Sequence, residues 1–251
     1  MRIGLDIGSR RVKLIKQFKS GELTYQIIPT PEFYKNYLQK KSQDTWRLNL
    51  AALDIRDKVE IIATGYGRNC ISLLATKILN EITAHAIGAS YSIDKSKFIL
   101  LDLGGQDTKA ILIKQGQVLD FMLNDKCAAG SGRYLENMAI ILGLELQQLF
   151  EYYQDPILLN TVCAVYGETE LIGKIAQGYS LENLAAGVNY SVFLKLLPML
   201  EKWSLKDIVF VGGGASNKAL IYYLEQAGYS VTLLAKPEYN GAWGCLQLSK
   251  G

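Results

Sequence analysis

The stretch Ile3-Gly4-Leu5-Asp6-Ile7-Gly8-Ser9-Arg10-Arg11-Val12-Lys13-Leu14-Ile15 returns 96 residues later. There it reads Ile99-Leu100-Leu101-Asp102-Leu103-Gly104-Gly105-Gln106-Asp107-Thr108-Lys109-Ala110-Ile111. Ile, Leu, Asp, Gly, Lys and Ile recur in step. Each copy runs on to a glycine (Gly21, Gly116) and a third apolar segment, so each reads as strand, turn, strand, turn, strand: an antiparallel meander. A single apolar strand repeats by chance, but a strand with its Asp-x-Gly turn and the following hairpin indicates an internal duplication. In each copy an aspartate ends a strand, and a glycine turn bares backbone N–H groups that can approach an anion. Two such turns could grip one polyphosphate from both sides, with Asp6 and Asp102 placed for magnesium-bound water. Either turn alone is as well explained by an ordinary hairpin; the pair is what points to a ligand.

The rest of the 251-residue chain is globular in composition, 49% hydrophobic and 20% charged, without a linker, low-complexity stretch or charge block. No apolar run approaches the roughly 18–20 residues of a membrane span, and Asp6 interrupts any signal-peptide core. A cytoplasmic protein that does not enter a membrane is expected. A net charge of +3 is too small to argue for nucleic acid. Four cysteines (Cys70, Cys127, Cys163, Cys245) are too few for a disulfide framework at this length. They read as thiols, metal ligands or packing.

Periodicity predicts a strand over 58–63 leading into the turn Thr64-Gly65-Tyr66-Gly67-Arg68-Asn69, then helices over 71–80 and 82–89. Further helices are predicted from Ser131 to Leu142, from Glu168 to Gln177, and over 181–203 with a possible kink at Pro198. A buried strand is predicted over 207–211. Gly212-Gly213-Gly214 should then open a helix to Gln226, stopped by Gly228, followed by a last strand over 231–234 and a short helix from Gly241. Alone, a strand–glycine–helix turn is a weak signal. As a third glycine turn it could offer a flat surface to an adenine ring, with Asn217 adding a polar contact.

Two Asp-x-Gly turns in duplicated meanders plus a distal glycine turn resemble the actin, hexokinase and heat-shock-chaperone ATPase superfamily. Four segments make the resemblance closer: Ala63-Thr64-Gly65-Tyr66-Gly67-Arg68-Asn69, Asp102-Leu103-Gly104-Gly105-Gln106-Asp107 with Lys109, Asn124-Asp125-Lys126-Cys127-Ala128-Ala129-Gly130-Ser131-Gly132-Arg133, and Tyr239-Asn240-Gly241-Ala242. They look like the activator ATPases of 2-hydroxyacyl-CoA dehydratases, whose relatives serve benzoyl-CoA reductases and double-cubane-cluster proteins. The resemblance spans nearly the whole chain. It implies an α/β fold of two duplicated actin-like (ribonuclease H-like) domains with a nucleotide cleft between them. Residues 1–95 with the helix at about 241–251 would form the first domain, and 96–240 the second. It also implies a homodimer with one shared [4Fe–4S] cluster. Such a dimer uses ATP to pass a low-potential electron from a donor such as ferredoxin or flavodoxin to an iron–sulfur acceptor protein, dehydratase-like or of double-cubane type.

The site residues follow from the same resemblance. Asp6, Gly8, Ser9, Asp102, Gly104, Gly105, Gln106 and Asp107 would surround ATP or ADP and Mg2+, with Gly212, Gly213, Gly214 and Asn217 at the adenosine. Gln106 is the candidate for orienting the attacking water, beside Asp102. Gly130, Ser131, Gly132 and Glu168 would lie on the cofactor side. Cys127 and Cys163 resemble the family's two cluster ligands, and a twofold axis doubles two thiolates to the four that such a cluster takes. Each precedes a predicted helix, whose N-terminus would favour a thiolate. Cys70, Cys245 and the single histidine, His85, read as packing.

Arg10 and Arg11 depart from the small or polar residues usual after the first turn, and read as the exposed side of a strand. The turn from Gly65 to Arg68 has no assigned role beyond structure. A small-molecule kinase of the same superfamily, with Asp107 as base, is the alternative; a non-redox ATPase scaffold or chaperone is a third.

Overall fold

The structure is a computed structural model that describes residues 1–42, 45–55, 59–67, 77–124, 130–159 and 164–248. Cys70, Lys126, Cys127, Cys163 and the Arg68–Asn69 part of the first glycine-rich turn lie outside the described residues. Contacts divide the chain into two units. One comprises Met1–Lys95, Gln115–Gln117 and Glu238–Gly251; the other comprises Ser96–Lys114 and Val118–Pro237.

The first unit is built on a five-stranded sheet. Its strands are β1 (Arg2–Ile7), β2 (Arg11–Gln17) and β3 (Leu23–Pro29), followed after an excursion by β6 (Glu60–Thr64) and β7 (Lys77–Ile78), in the order β3-β2-β1-β6-β7. β1 pairs antiparallel with β2 and parallel with β6. The excursion holds a helical turn α1 (Thr30–Glu32), a π-type turn at Phe33–Tyr37, and the hairpin β4 (Leu38–Ser42) with β5 (Thr45–Leu48). Side chains alternate across a strand. Ile3, Leu5 and Ile7 therefore join one cluster with Val12, Leu14, Phe33, Leu38 and Leu48. Gly4 and Asp6 face the other side, where α2 (Glu81–Ser92) and the C-terminal α8 (Asn240–Leu248) pack. Cys245 on α8 is fully buried with Ile62, Leu79 and Ala84, and burial pushes its thiol well above the usual range. That environment suits packing, not ligation.

The second unit repeats the plan. Strands β8 (Lys97–Leu103), β9 (Thr108–Lys114), β10 (Gln117–Asn124), β11 (Asp207–Val211) and β12 (Ser230–Leu233) form a sheet in the order β10-β9-β8-β11-β12, with β8 antiparallel to β9 and parallel to β11, as β1 is to β2 and β6. Between β10 and β11 run α3 (Gly132–Ile141), α4 (Leu146–Leu149), α5 (Ala164–Ala176) and α6 (Leu181–Glu201); α7 (Lys218–Gln226) lies between β11 and β12. Ile99, Leu101, Leu103, Ile208 and Phe210 pack with Tyr134, Met138, Val188, Val192 and Leu220 in one core. Pro198 sits inside α6. Gly228, at φ 82°, ends α7 as expected.

Three expectations differ from this. Lys77–Ile78 is not helical but an edge strand on β6, because parallel pairing with Ile62 and Ala63 satisfies its backbone. The helix placed at Glu168 begins at Ala164. The helix after Gly212 begins only at Lys218; Gly213–Ser216 is a 3-10 turn, and Asn217 is the N-cap of α7. Among the described residues no helix is long and apolar enough to cross a membrane.

Candidate functional site

Asp6 is the last residue but one of β1, with 3% of its surface exposed. A buried carboxylate needs a partner. The antiparallel register supplies one by setting Lys13 opposite Asp6, with Nζ 3.4 Å from Oδ2. Gly8 and Ser9 form the half-buried turn, and the Thr30 hydroxyl donates to the Gly8 carbonyl (2.8 Å). Arg10 and Arg11 are exposed. The loop after β6 seats Gly65 directly on this turn at φ 93°, where a side chain would start 2.6 Å from both Asp6 Oδ1 and the Ile7 carbonyl. Only glycine fits there. Gly67 packs against the Ile7 side chain in the same way. On α2, His85 is buried, with the Asn240 amide donating to its carbonyl (2.9 Å) and lying 3.3 Å from its Nδ1. This is a histidine with partners inside a core, as expected.

Asp102 stands in the matching place, the last residue but one of β8, also 3% exposed, and Lys109 is its cross-strand partner at 3.3 Å. Lys109 Nζ also lies 2.9 Å from Asp107 Oδ1. The Gly104 amide closes the turn on the Asp107 carbonyl (3.0 Å), and Gln106 is exposed. Gly212, after β11, has φ 85° and stands to Leu103 as Gly65 stands to Ile7; a side chain there would start 2.6 Å from the Leu103 carbonyl. Gly214 packs on the Leu103 side chain. Gly65-x-Gly67 is thus the counterpart of Gly212-x-Gly214. The described part of the first glycine-rich turn thus has a definite structural place.

The amides of Ser9, Gly105 and Gln106 have no hydrogen-bond partner among the described residues. Beside the paired Asp102, the neighbouring amides of Gly105 and Gln106 are groups of the kind that bind phosphate oxygens. The second turn is also joined to the segment on the C-terminal side of Cys127. Gly132 N–H donates to the Gly104 carbonyl (2.8 Å), Arg133 N–H to the Gly105 carbonyl (2.9 Å), and the Thr108 hydroxyl to the Gly130 carbonyl.

The remaining residues singled out in the sequence have these surroundings. Gly130, Ser131 and Gly132 were expected to present a helix N-terminus to the cofactor. Two leading amides of α3 are instead spent on the turn's carbonyls, and Ser131 is fully buried. Asn217 was expected to touch adenosine. Its side chain is buried, accepting from Leu220 N–H (3.0 Å) and donating to Asn189 Oδ1 (2.9 Å). Gly213 is exposed between the buried Gly212 and Gly214. Glu168 is an exposed residue early in α5. Sequence reasoning missed Lys13 and Lys109 as carboxylate partners; the signal was a lysine seven residues after each aspartate, which a tight hairpin brings opposite it.

Two sheets of identical order, each closing an aspartate turn with a glycine from its fourth strand, define an actin-like ATPase fold. Residues 3–249 match the model of the BadF/BadG/BcrA/BcrD ATPase family, and the chain belongs to that family. It is 35% identical over 248 residues to the (R)-2-hydroxyglutaryl-CoA dehydratase activating ATPase of Acidaminococcus fermentans, covering 96% of this chain and 94% of that one. The crystal structure of component A of that dehydratase superposes with a TM-score of 0.82 at 28% identity, covering 97% of this chain and 95% of that one. The activator of the 2-hydroxyisocaproyl-CoA dehydratase from Clostridium difficile, solved with bound ADPNP, gives a TM-score of 0.82 at 25% identity, covering 99% and 97%.

Proposed function

We propose that this chain is an ATP-driven activator that couples ATP hydrolysis to low-potential electron transfer into an iron–sulfur partner protein, dehydratase-like or of double-cubane type. The observation that carries the reading is the three-bond join between the Asp102 turn and residues 130–133. A phosphate-binding turn bonded to the segment after Cys127 gives nucleotide occupancy a short covalent and hydrogen-bonded route to that cysteine. Similarity to dehydratase activators over nearly the full chain supports the same class of partner.

In this reading Asp6 and Asp102 orient the water shell of Mg2+, the amides of Ser9, Gly105 and Gln106 bind phosphate oxygens, and the exposed Gln106 orients the attacking water. Cys127 and Cys163 from each of two copies would hold one [4Fe–4S] cluster, which supplies one-electron chemistry when bound. A donor such as ferredoxin or flavodoxin would recharge it.

Purification without air tests this. The expected protein is brown and dimeric, with about two irons per chain, since four irons are shared by two copies. Cys127→Ala should lose iron and weaken the dimer while ADP affinity persists, because a bridging cluster contributes binding energy to the dimer. Cys245→Ala should keep its iron. Colourless protein that consumes ATP only with a sugar or acid would make it a kinase. Asp102→Asn with unchanged ATP hydrolysis and affinity would remove the nucleotide assignment.

A further inference from the structure

The two turns share an Asp–Lys pair, but among the described residues only the second adds another carboxylate. Lys109 Nζ lies 3.3 Å from Asp102 Oδ2 and 2.9 Å from Asp107 Oδ1, and its side chain is 3% exposed. In the first turn Lys13 is 19% exposed, and the position matching Asp107 is the exposed Arg11. Two carboxylate oxygens converging on one nearly dry point are a donor set that a hard divalent cation accepts. Here an ammonium stands at that point. A lysine charge is compact and holds no fixed fork, so it can serve two carboxylates from one position.

We propose that Lys109 is a built-in cation of the second turn. It holds Asp102 and Asp107 together and keeps a divalent ion from settling on them until a nucleotide brings its own. Lys109 is then a positioning residue that acts through the two carboxylates. The purpose of the device rests on the reading of this turn as a magnesium–nucleotide site; the electrostatic claim does not.

The test is Mn2+ binding to the anaerobically purified full-length protein without nucleotide, followed by the paramagnetic resonance of free Mn2+. Lys109→Met keeps the stem and removes the charge. It should bind one Mn2+ at least about tenfold more tightly than the parent. Lys109→Met/Asp107→Asn should lose that gain, and Lys109→Arg should not acquire it. Equal Mn2+ affinity in parent and Lys109→Met, or a gain that survives Asp107→Asn, overturns the proposal. If Lys109→Met folds poorly, refolding yield in Mn2+ against a chelator replaces the titration: recovery with Mn2+ supports the proposal, and equal yields overturn it. ADP binding to the parent is measured alongside. Its absence would sink the nucleotide reading while leaving the Mn2+ comparison to decide this one.

Discussion

Placed side by side, the turns of the two halves differ over four consecutive residues. The first turn reads Ser9-Arg10-Arg11-Val12, the second Gly105-Gln106-Asp107-Thr108. Around them the scaffold is held in common: sheet order, a buried aspartate one residue before the end of the first strand, a lysine opposite it, and a glycine at φ 93° or 85° seated on the turn. What is common builds the cradle. What differs gives the second half its extra carboxylate, its exposed glutamine and its hydroxyl bond to Gly130. Duplication therefore supplied one scaffold twice, and one copy is linked to residues 130–133, which follow Cys127 in the sequence.

The strongest challenge to that comparison is to break the cradle in both halves. Gly65→Ala and Gly212→Ala each add a side chain at positive φ, 2.6 Å from a carbonyl oxygen of a central strand. Backbone has little room to yield, so each should cost about 3 kcal/mol. Urea midpoints measure this. Equal losses fit equivalent turns; a neutral Gly65→Ala would show that the first turn is not the counterpart of the second.

The next effect belongs to the second half alone. Asn217 caps α7 and holds Asn189, whose own amide donates to the Leu149 and Tyr152 carbonyls (2.7 and 2.9 Å). Asn217→Ala loses the cap and strands a buried acceptor, at a cost of about 2 kcal/mol. Nucleotide affinity should not move, since the side chain is buried and bonded to Asn189 and Leu220. A large fall in ADP affinity in a folded variant would restore Asn217 as a ligand contact.

How much of this could be read in advance depends on where each signal resides. The meanders were legible because apolar runs, Asp-x-Gly turns and glycines at Gly21 and Gly116 are local and occur twice. The kinship of Gly65 with Gly212 was not, because one lies 59 residues after its aspartate and the other 110, with α3 to α6 inserted only in the second half. The equivalence exists only in the parallel pairing of β1 with β6 and of β8 with β11, a long-range fact. Lys77–Ile78 reads as helix by pattern, and the sheet edge overrides it. Asn217 is a polar residue beside a glycine turn, which suits a ligand contact and an N-cap equally well; only its burial separates the two. The candidate site was thus legible as motifs, while the partners that hold the motifs had to come from register.

The smallest effect is the one that sharpens the comparison most. Ile7 pairs with Val12 in the first half, and Leu103 pairs with Thr108 in the second, so the two side chains occupy one position of the duplicated hairpin. Since the first half folds with valine there, Thr108→Val asks nothing new of the strand, and valine suits a strand well. What it removes is the hydroxyl bond to the Gly130 carbonyl, worth about 1 kcal/mol. The amide bonds from Gly132 and Arg133 to the turn remain, so the segment stays attached but with less constraint. ADP affinity should therefore change by no more than about 0.5 kcal/mol. ATP-driven reduction of the acceptor should fall further than ATP hydrolysis does, because the join is loosened and the phosphate contacts are kept. The mirror variant Val12→Thr should change neither, apart from the small cost of burying a hydroxyl. If Thr108→Val lowers hydrolysis and reduction by the same factor, the hydroxyl serves the phosphate turn itself, and the four differing residues do not set apart a coupling half.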